Sequence, residues 1–285
     1  MVLFVFILYS IYTLKELLTL SDVHLISICA VKITAFRRYF DGSIEGDAVM
    51  SGFLWRNHGE TYLITNWHNV TGKNPETKEY IGGFAPSHFS CQYRAVNNEE
   101  GYSTTGIVEI PLFDDEDNPR WIEHSQGSLV DVVAIPFNDD LPETYEFIVL
   151  NEQDLETDWL PRVGDDSFIV GFPEGMTGPL ATPIWKRGSL ATEPKLDHEE
   201  KPMFLIDTIA NKGLSGSSVI GRSSGILARG NSAIGFRNQS KIGTWENFIG
   251  IYSGRVSKEG VGSQLGRVWK ATVLIDIFHQ VKKRE

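Results

Sequence analysis

Cysteine is scarce in this sequence, with only Cys29 and Cys91 among 285 residues. Two thiols form at most one disulfide, and no CxxC or Cys/His spacing indicates a zinc or other metal site. The count argues against a disulfide-stapled secreted domain and favours a reducing compartment or a cell that does not rely on disulfides. We therefore expect a cytoplasmic protein in which both cysteines are small buried side chains.

Positive charge is also in deficit. Lys and Arg number 26 against 37 Asp and Glu, so the formal net charge at pH 7 is -11. This balance argues against a nucleic-acid partner and against a polybasic membrane patch. The only basic cluster, Lys282, Lys283 and Arg284, is interpreted as a solvated helix end.

The apolar run at the N-terminus is short. Residues 1–14 read MVLFVFILYSIYTL, whereas an ordinary membrane-spanning helix needs about 20 apolar residues. No Lys or Arg precedes the run and no clear cleavage site follows it, which is atypical of a signal peptide. A weak anchor, an uncleaved signal, a core element and a translated extension from a misplaced start all stay open. Membrane association or export is expected only through residues 1–20.

Short strand patterns dominate the rest of the chain. Runs rich in Val, Ile, Thr and aromatic residues, separated by turn residues, predict an all-β sandwich or barrel. The polar stretch 138–166 is the predicted crossing between two domains, and apolar residues at helical spacing predict a closing helix over 273–281. The predicted strands are 24–36, 50–55, 61–67 (a hairpin with 50–55), 106–110, 130–136, 167–172, 183–191, 204–209, 218–220, 226–236 and 248–256.

One stretch of small residues raises the question of a nucleophile. Residues 211–220 read NKGLSGSSVI and contain Ser215, Ser217 and Ser218, a composition that an ordinary tight turn also explains. A serine nucleophile needs a base and an acid that orients the base. His68 ends an apolar strand pattern, and Asp131 lies within another, where an unpaired carboxylate would be costly unless an imidazole N–H bonded to it.

The order His68, Asp131, Ser215 is the one that chymotrypsin-type hydrolases use. The chain resembles a trypsin-like (chymotrypsin-fold) serine peptidase, closest to the bacterial members that lack disulfides. The resemblance covers about residues 25–280. Its motifs are LITNWHNV (63–70), VDVVAIPF (130–137), FIVGFP (168–173), WKRGSLATEP (185–194), GLSGSSV (213–219) and FIGIYSGRV (248–256).

The resemblance implies a fold of two six-stranded antiparallel β-barrels and a C-terminal helix. The first barrel would span 24–150 and the second 151–285, preceded by an apolar extension over 1–23. His68 would then be the general base, Asp131 its orienting acid and Ser215 the nucleophile of a serine endopeptidase. Gly213 and Ser215 would supply the N–H donors of an oxyanion hole, and the chemistry needs no cofactor.

Two departures from the family pattern carry expectations of their own. Leu214 replaces an aspartate that would pair with a newly cut N-terminus, so we expect a site formed without zymogen cleavage. Asn69 follows the proposed base where a cysteine would give a disulfide. Ser217 and Ser218 are interpreted as structural.

The family pattern also suggests where a protein or peptide substrate would bind. Ile209 would lie at the base of the S1 pocket, and an apolar residue there argues against Lys or Arg at P1. Ser253 belongs to the predicted pocket wall, which would pair with the substrate backbone. Arg255 either favours an acidic P1 side chain or faces solvent. The predicted wall is Tyr252, Ser253 and Gly254, and Arg255 follows it directly.

Two alternatives to a free peptidase stay open. A catalytically silent binding module would keep the fold and lose turnover. A membrane-tethered quality-control peptidase would depend on the first twenty residues.

Overall fold

A computed structural model describes residues 18–81, 83–139, 141–209, 211–228, 240–256 and 264–281. The apolar run over 1–14 and the basic cluster after Val281 lie outside the described residues. Within the described part of the chain, no helix has the length and apolarity that crossing a bilayer requires.

The first half of the chain forms one antiparallel sheet of nine strands. The strand order along the sheet is β1-β6-β5-β2-β3-β4-β8-β7, and β9 pairs with β5. Among the described residues this pairing runs as an open path, and together with the closed barrel of the second half the sheet matches the predicted double-barrel fold class. The strands are β1 (Leu18–Thr19), β2 (Ala30–Arg38), β3 (Ile44–Asn57), β4 (Glu60–Thr65), β5 (His88–Asn97), β6 (Tyr102–Pro111), β7 (Ile122–Glu123), β8 (Val133–Pro136) and β9 (Tyr145–Phe147).

The second half forms a closed antiparallel barrel of six strands, in the order β10-β11-β12-β15-β14-β13. A closed barrel leaves no unpaired strand edge. The strands are β10 (Asp166–Gly171), β11 (Ile184–Leu190), β12 (Met203–Asp207), β13 (Ser218–Ala228), β14 (Ser240–Arg255) and β15 (Leu265–Lys270).

Three α-helices lie in the described part of the chain: α1 (Leu25–Cys29), α2 (Trp67–Thr71) and α3 (Val273–Val281). The predicted closing helix over 273–281 is confirmed at both ends. Helix α3 returns to the first half, because its Phe278 ring packs edge-on against the Tyr62 ring at 5.1 Å. An apolar cluster that includes Phe53, Val170 and Leu274 joins the two halves and this helix.

The all-β class and most predicted strands are confirmed, with three corrections. The predicted strand over 24–36 is wrong for Leu25–Cys29, which is helical and is capped by His24 Nδ1 accepting from the Ile26 N–H. A five-residue apolar run has no periodicity that separates helix from strand. The two strands predicted over 218–220 and from 226 onward belong to one continuous strand, β13 (Ser218–Ala228). The rest of the second prediction, residues 229–236, lies outside the described residues.

The third correction concerns Asp131, which precedes β8 instead of lying inside it. The Val132 N–H donates to the Val130 carbonyl at 2.8 Å, so the main chain turns tightly at Asp131 before the strand begins. Both cysteines are buried and free. Burial raises the pKa of each thiol above its ordinary value.

Candidate active site

His68 and Asp131 are joined by two hydrogen bonds. The Asp131 carboxylate accepts from the His68 imidazole Nδ1 at 2.7 Å and from the His68 backbone N–H at 2.8 Å. The second bond satisfies a donor that the first turn of α2 leaves without an intrahelical partner. With Nδ1 donating to the carboxylate, the lone pair of Nε2 is free to accept a proton.

The main chain at Asp131 is fixed as well. The side chain of Asn66, the last residue before α2, donates from Nδ2 to the Asp131 carbonyl at 2.7 Å. Asp131 is 2% exposed and Asn66 is fully buried. Side-chain and main-chain contacts therefore hold one rotamer of the carboxylate, which in turn fixes the imidazole plane.

Ser215 lies on a loop between β12 and β13 whose shape depends on two glycines. Gly213 and Gly216 have φ values of 90° and 88°, in the region that favours glycine. A Cβ on Gly213 would come within 2.5 Å of the Phe172 carbonyl oxygen, and one on Gly216 within 2.1 Å of the Ser51 carbonyl oxygen. No other residue type fits either position without moving the backbone.

The loop presents donors without intrachain acceptors. Among the described residues, the backbone N–H groups of Gly213 and Ser215 donate to no protein acceptor. Ser215 is partly exposed, and its hydroxyl makes no hydrogen bond to His68 in the described part of the chain. Such contacts are often long before substrate binds. These two N–H groups are therefore available to an acceptor outside the described residues.

The neighbours of Ser215 are buried. Ser217 and Ser218 are 0% and 1% exposed, and Leu214 belongs to the apolar core of the second barrel. The burial of Ser217 and Ser218 is consistent with the structural roles expected of them, and a site formed without zymogen cleavage stays a prediction.

The predicted substrate wall lies at an irregularity of β14. Tyr252 is buried, which raises the pKa of its phenol, and its backbone N–H donates to the Ser217 carbonyl at 2.9 Å. The pairing of β14 with β15 shifts register between Tyr252 and Arg255, so Ser253 and Gly254 lie outside the ladder. Gly254 has a φ of 99°. Ile209 is 63% exposed, and its place at the base of a pocket stays a prediction.

Comparison with known proteins gives a likeness in structure alone. No protein-family model matches the sequence, and no curated protein matches it either. A solved structure of the HtrA-type protease AlgW with a decapeptide is similar over 90% of this chain, with a TM-score of 0.50 and 14% sequence identity. The chain has the chymotrypsin-type fold.

A second AlgW structure, with a tripeptide, has a TM-score of 0.49 at the same identity and the same coverage of this chain. The chain spans 60% and 64% of the lengths of these two chains. At this identity the likeness shows the fold alone.

The chymotrypsin-type fold brings His68 and Asp131 together at the end of β4. A cavity of about 1130 Å³ lies elsewhere, between the halves and α3, and none of His68, Asp131 or Ser215 lines it. The candidate site is therefore identified from its side-chain contacts and not from the position of this cavity. Within the described residues, no three His, Cys, Asp or Glu side chains cluster as a metal site would require.

The sequence did not indicate a role for three polar residues of the candidate site, Ser51, Thr65 and Asn66, or the hydrogen bonds of a fourth, Asn69. Three of them flank His68 in TNWHN, a polar run at the end of an apolar strand. All four are at most 3% exposed. A run of buried polar residues beside a candidate base is a signal that could have indicated a hydrogen-bonded network.

Proposed function

We propose that this protein is a serine endopeptidase whose catalytic residues are Ser215, His68 and Asp131. The observation that supports this most strongly is the paired bond from His68 to the buried Asp131 carboxylate, at 2.7 and 2.8 Å. That contact selects the imidazole tautomer that can accept the serine proton.

The proposed reaction proceeds through an acyl-enzyme. The Ser215 hydroxyl oxygen attacks the substrate carbonyl carbon while His68 Nε2 takes the hydroxyl proton. Asp131 stabilises the imidazolium, and the N–H groups of Gly213 and Ser215 donate to the oxyanion. His68 then protonates the leaving amine. In the second half of the reaction, water attacks the carbonyl carbon of the acyl-enzyme while His68 takes a proton from the water. His68 then returns the proton to the Ser215 oxygen, and the acid product is released.

A peptide is the proposed substrate class. Ser253 and Gly254 lie where β14 leaves its ladder, so their backbone groups can pair with an extended chain. The similar solved structures hold a tripeptide and a decapeptide. An apolar Ile209 at the base of S1 would disfavour Lys or Arg at P1. A peptide library cleaved mainly after Lys or Arg would contradict that assignment.

The decisive experiment is labelling with an alkyl fluorophosphonate, read by intact mass. The wild-type protein should gain one adduct, and Ser215→Ala should gain none. Ser217→Ala is the matched control, because the Ser217 hydroxyl is buried without a hydrogen-bond partner in the described structure. Labelling of Ser215→Ala would refute the assignment, and an unlabelled, folded wild type would favour the silent binding module.

A further inference from the structure

Three buried polar side chains of the first half lie against the Ser215 loop of the second half. Ser51 is on β3, Thr65 ends β4 and Asn69 is on α2, directly after His68. Their exposures are 0%, 0% and 3%. Polar groups this deeply buried are stable only when hydrogen-bonded, so their contacts define one arrangement.

The three residues and Ser215 form a closed ring of hydrogen bonds. Asn69 Nδ2 donates to the Thr65 hydroxyl at 2.8 Å and to the Ser215 carbonyl at 3.2 Å. The Thr65 hydroxyl donates to the Ser51 carbonyl, and the Ser51 N–H donates to the Ser215 carbonyl, both at 2.9 Å. Both amide hydrogens of Asn69 are used, and the Ser215 carbonyl accepts from two sides.

The ring supplies the last of the hydrogen bonds that hold the backbone of residues 212–215 in place. Each of the four successive carbonyls from 212 to 215 accepts a hydrogen bond. Because a peptide group is planar, fixing its carbonyl also fixes the direction of its N–H. The donors are Glu174 N–H to Lys212, Ser51 hydroxyl to Gly213, Ser217 N–H to Leu214, and Ser51 N–H with Asn69 Nδ2 to Ser215.

Gly216 shows independently how closely the ring and the loop fit. A Cβ at this position would lie 2.1 Å from the Ser51 carbonyl oxygen, 2.3 Å from the Thr65 hydroxyl and 3.2 Å from Asn69 Nδ2. The loop backbone therefore packs directly on the ring, so a shift of Asn69 must be transmitted to Ser215.

We propose that Asn69 is a positioning residue that couples the helix carrying His68 to the carbonyl of Ser215 and so sets the base against the nucleophile. This inference rests on the proposed function. Asn69 stands where the resemblance expects a cysteine that would form a disulfide. In this chain the residue after His68 is held by hydrogen bonds instead.

The test compares Asn69→Leu and Thr65→Val with a matched control. Leucine has the branched shape of asparagine without its donors, and its larger volume is matched in the control; valine is isosteric with threonine. The control is Asn97→Leu, because Asn97 is also buried (6% exposed) but its side chain, among the described residues, accepts from the Glu99 and Glu100 N–H groups within the β5–β6 turn. An alkyl fluorophosphonate gives kinact and KI per folded molecule, and hydrogen exchange of residues 211–218 reports on the loop without requiring activity.

Displacement of the nucleophile should lower kinact of Asn69→Leu by about 10- to 100-fold while KI stays within about threefold of wild type. Thr65→Val should also lower kinact, because valine lacks the hydroxyl that accepts from Asn69 Nδ2. The control should lose thermal stability and keep its kinact. Exchange over 211–218 should become faster in the two ring variants alone.

Two failures are distinguishable. An unlabelled wild type, or labelled Ser215→Ala, would overturn the proposed function, and the exchange result would still decide whether Asn69 holds the loop. Labelled wild type with unchanged kinact and unchanged exchange in Asn69→Leu would overturn the positioning role and leave the proposed function intact.

Discussion

Replacing Ser51 with alanine should destabilise the protein by removing one oxygen that serves two backbone groups. The Ser51 hydroxyl donates to the Gly213 carbonyl at 2.8 Å and accepts from the Phe172 N–H at 2.9 Å. Neither backbone group has another hydrogen-bond partner among the described residues. Ser51→Ala would therefore leave a carbonyl and an N–H unpaired in the interior.

An unpaired buried backbone group costs about 1–3 kcal/mol, so two of them cost roughly 2–6 kcal/mol. Local relaxation recovers part of this, and we expect the free energy of unfolding to fall by about 2–4 kcal/mol. The assay is urea unfolding followed by tryptophan fluorescence and far-UV circular dichroism, with coincident transitions and equal slopes.

Ser167→Ala provides the matched comparison. Ser167 is a fully buried strand serine like Ser51, but its hydroxyl has no hydrogen-bond partner in the described structure. Its removal should change the free energy of unfolding by less than about 0.5 kcal/mol. Equal losses in the two variants, or a loss below about 0.5 kcal/mol in Ser51→Ala, would refute the reasoning.

Three further predictions concern the site and the acid stability of the fold. Asp131→Asn should lower the rate of fluorophosphonate labelling by about 10⁴-fold, because an amide donating to His68 Nδ1 moves the proton to Nε2; labelling near the wild-type rate would contradict the tautomer argument. Gly216→Ala should abolish labelling even where circular dichroism shows a folded protein, since its Cβ would lie 2.1 Å from a backbone oxygen; normal labelling would show that the loop can rearrange. The hydrogen bond from His24 lowers the pKa of Glu246 below its ordinary 4.5. That carboxylate stabilises the fold above its ordinary pKa, and the contribution is lost as the pH falls through the lower folded-state pKa. Glu246→Gln should therefore lose less stability than wild type on acidification below about pH 4.5, measured by thermal unfolding; identical acid profiles would rule out this contribution.

The sequence predicts the parts of the fold that depend on local pattern. Helix α3 has apolar residues at helical spacing, and its predicted ends match the structure. Five strands were missed: the two- or three-residue strands β1, β7 and β9, and the longer β5 and β15. β5 (HFSCQYRAVN) and β15 (LGRVWK) carry polar, charged or glycine residues that weaken the strand signal, and pairing with their neighbours stabilises them instead.

The pairing of His68 with Asp131 follows from the cost of a lone buried carboxylate, which required a partner. The contacts of Ser51 and Asn69 do not follow from any local pattern, because they join residues 162 and 146 positions apart in the chain. Their partners are backbone carbonyls, which every residue carries. Only the docking of the two halves decides which carbonyl each donor meets.

The hydrogen-bonded ring has a consequence for the order in which the molecule can be made. The donors that hold the Ser215 carbonyl are synthesised long before the loop they hold. Strands β14 and β15, which close the barrel behind that loop, follow the loop in the chain. A nascent chain that already carries all nine strands of the first sheet, with His68 and Asp131, therefore still lacks the nucleophile loop. The proposed peptidase would acquire its reactivity only when the second barrel docks, so synthesis itself would act as the step that delays activity.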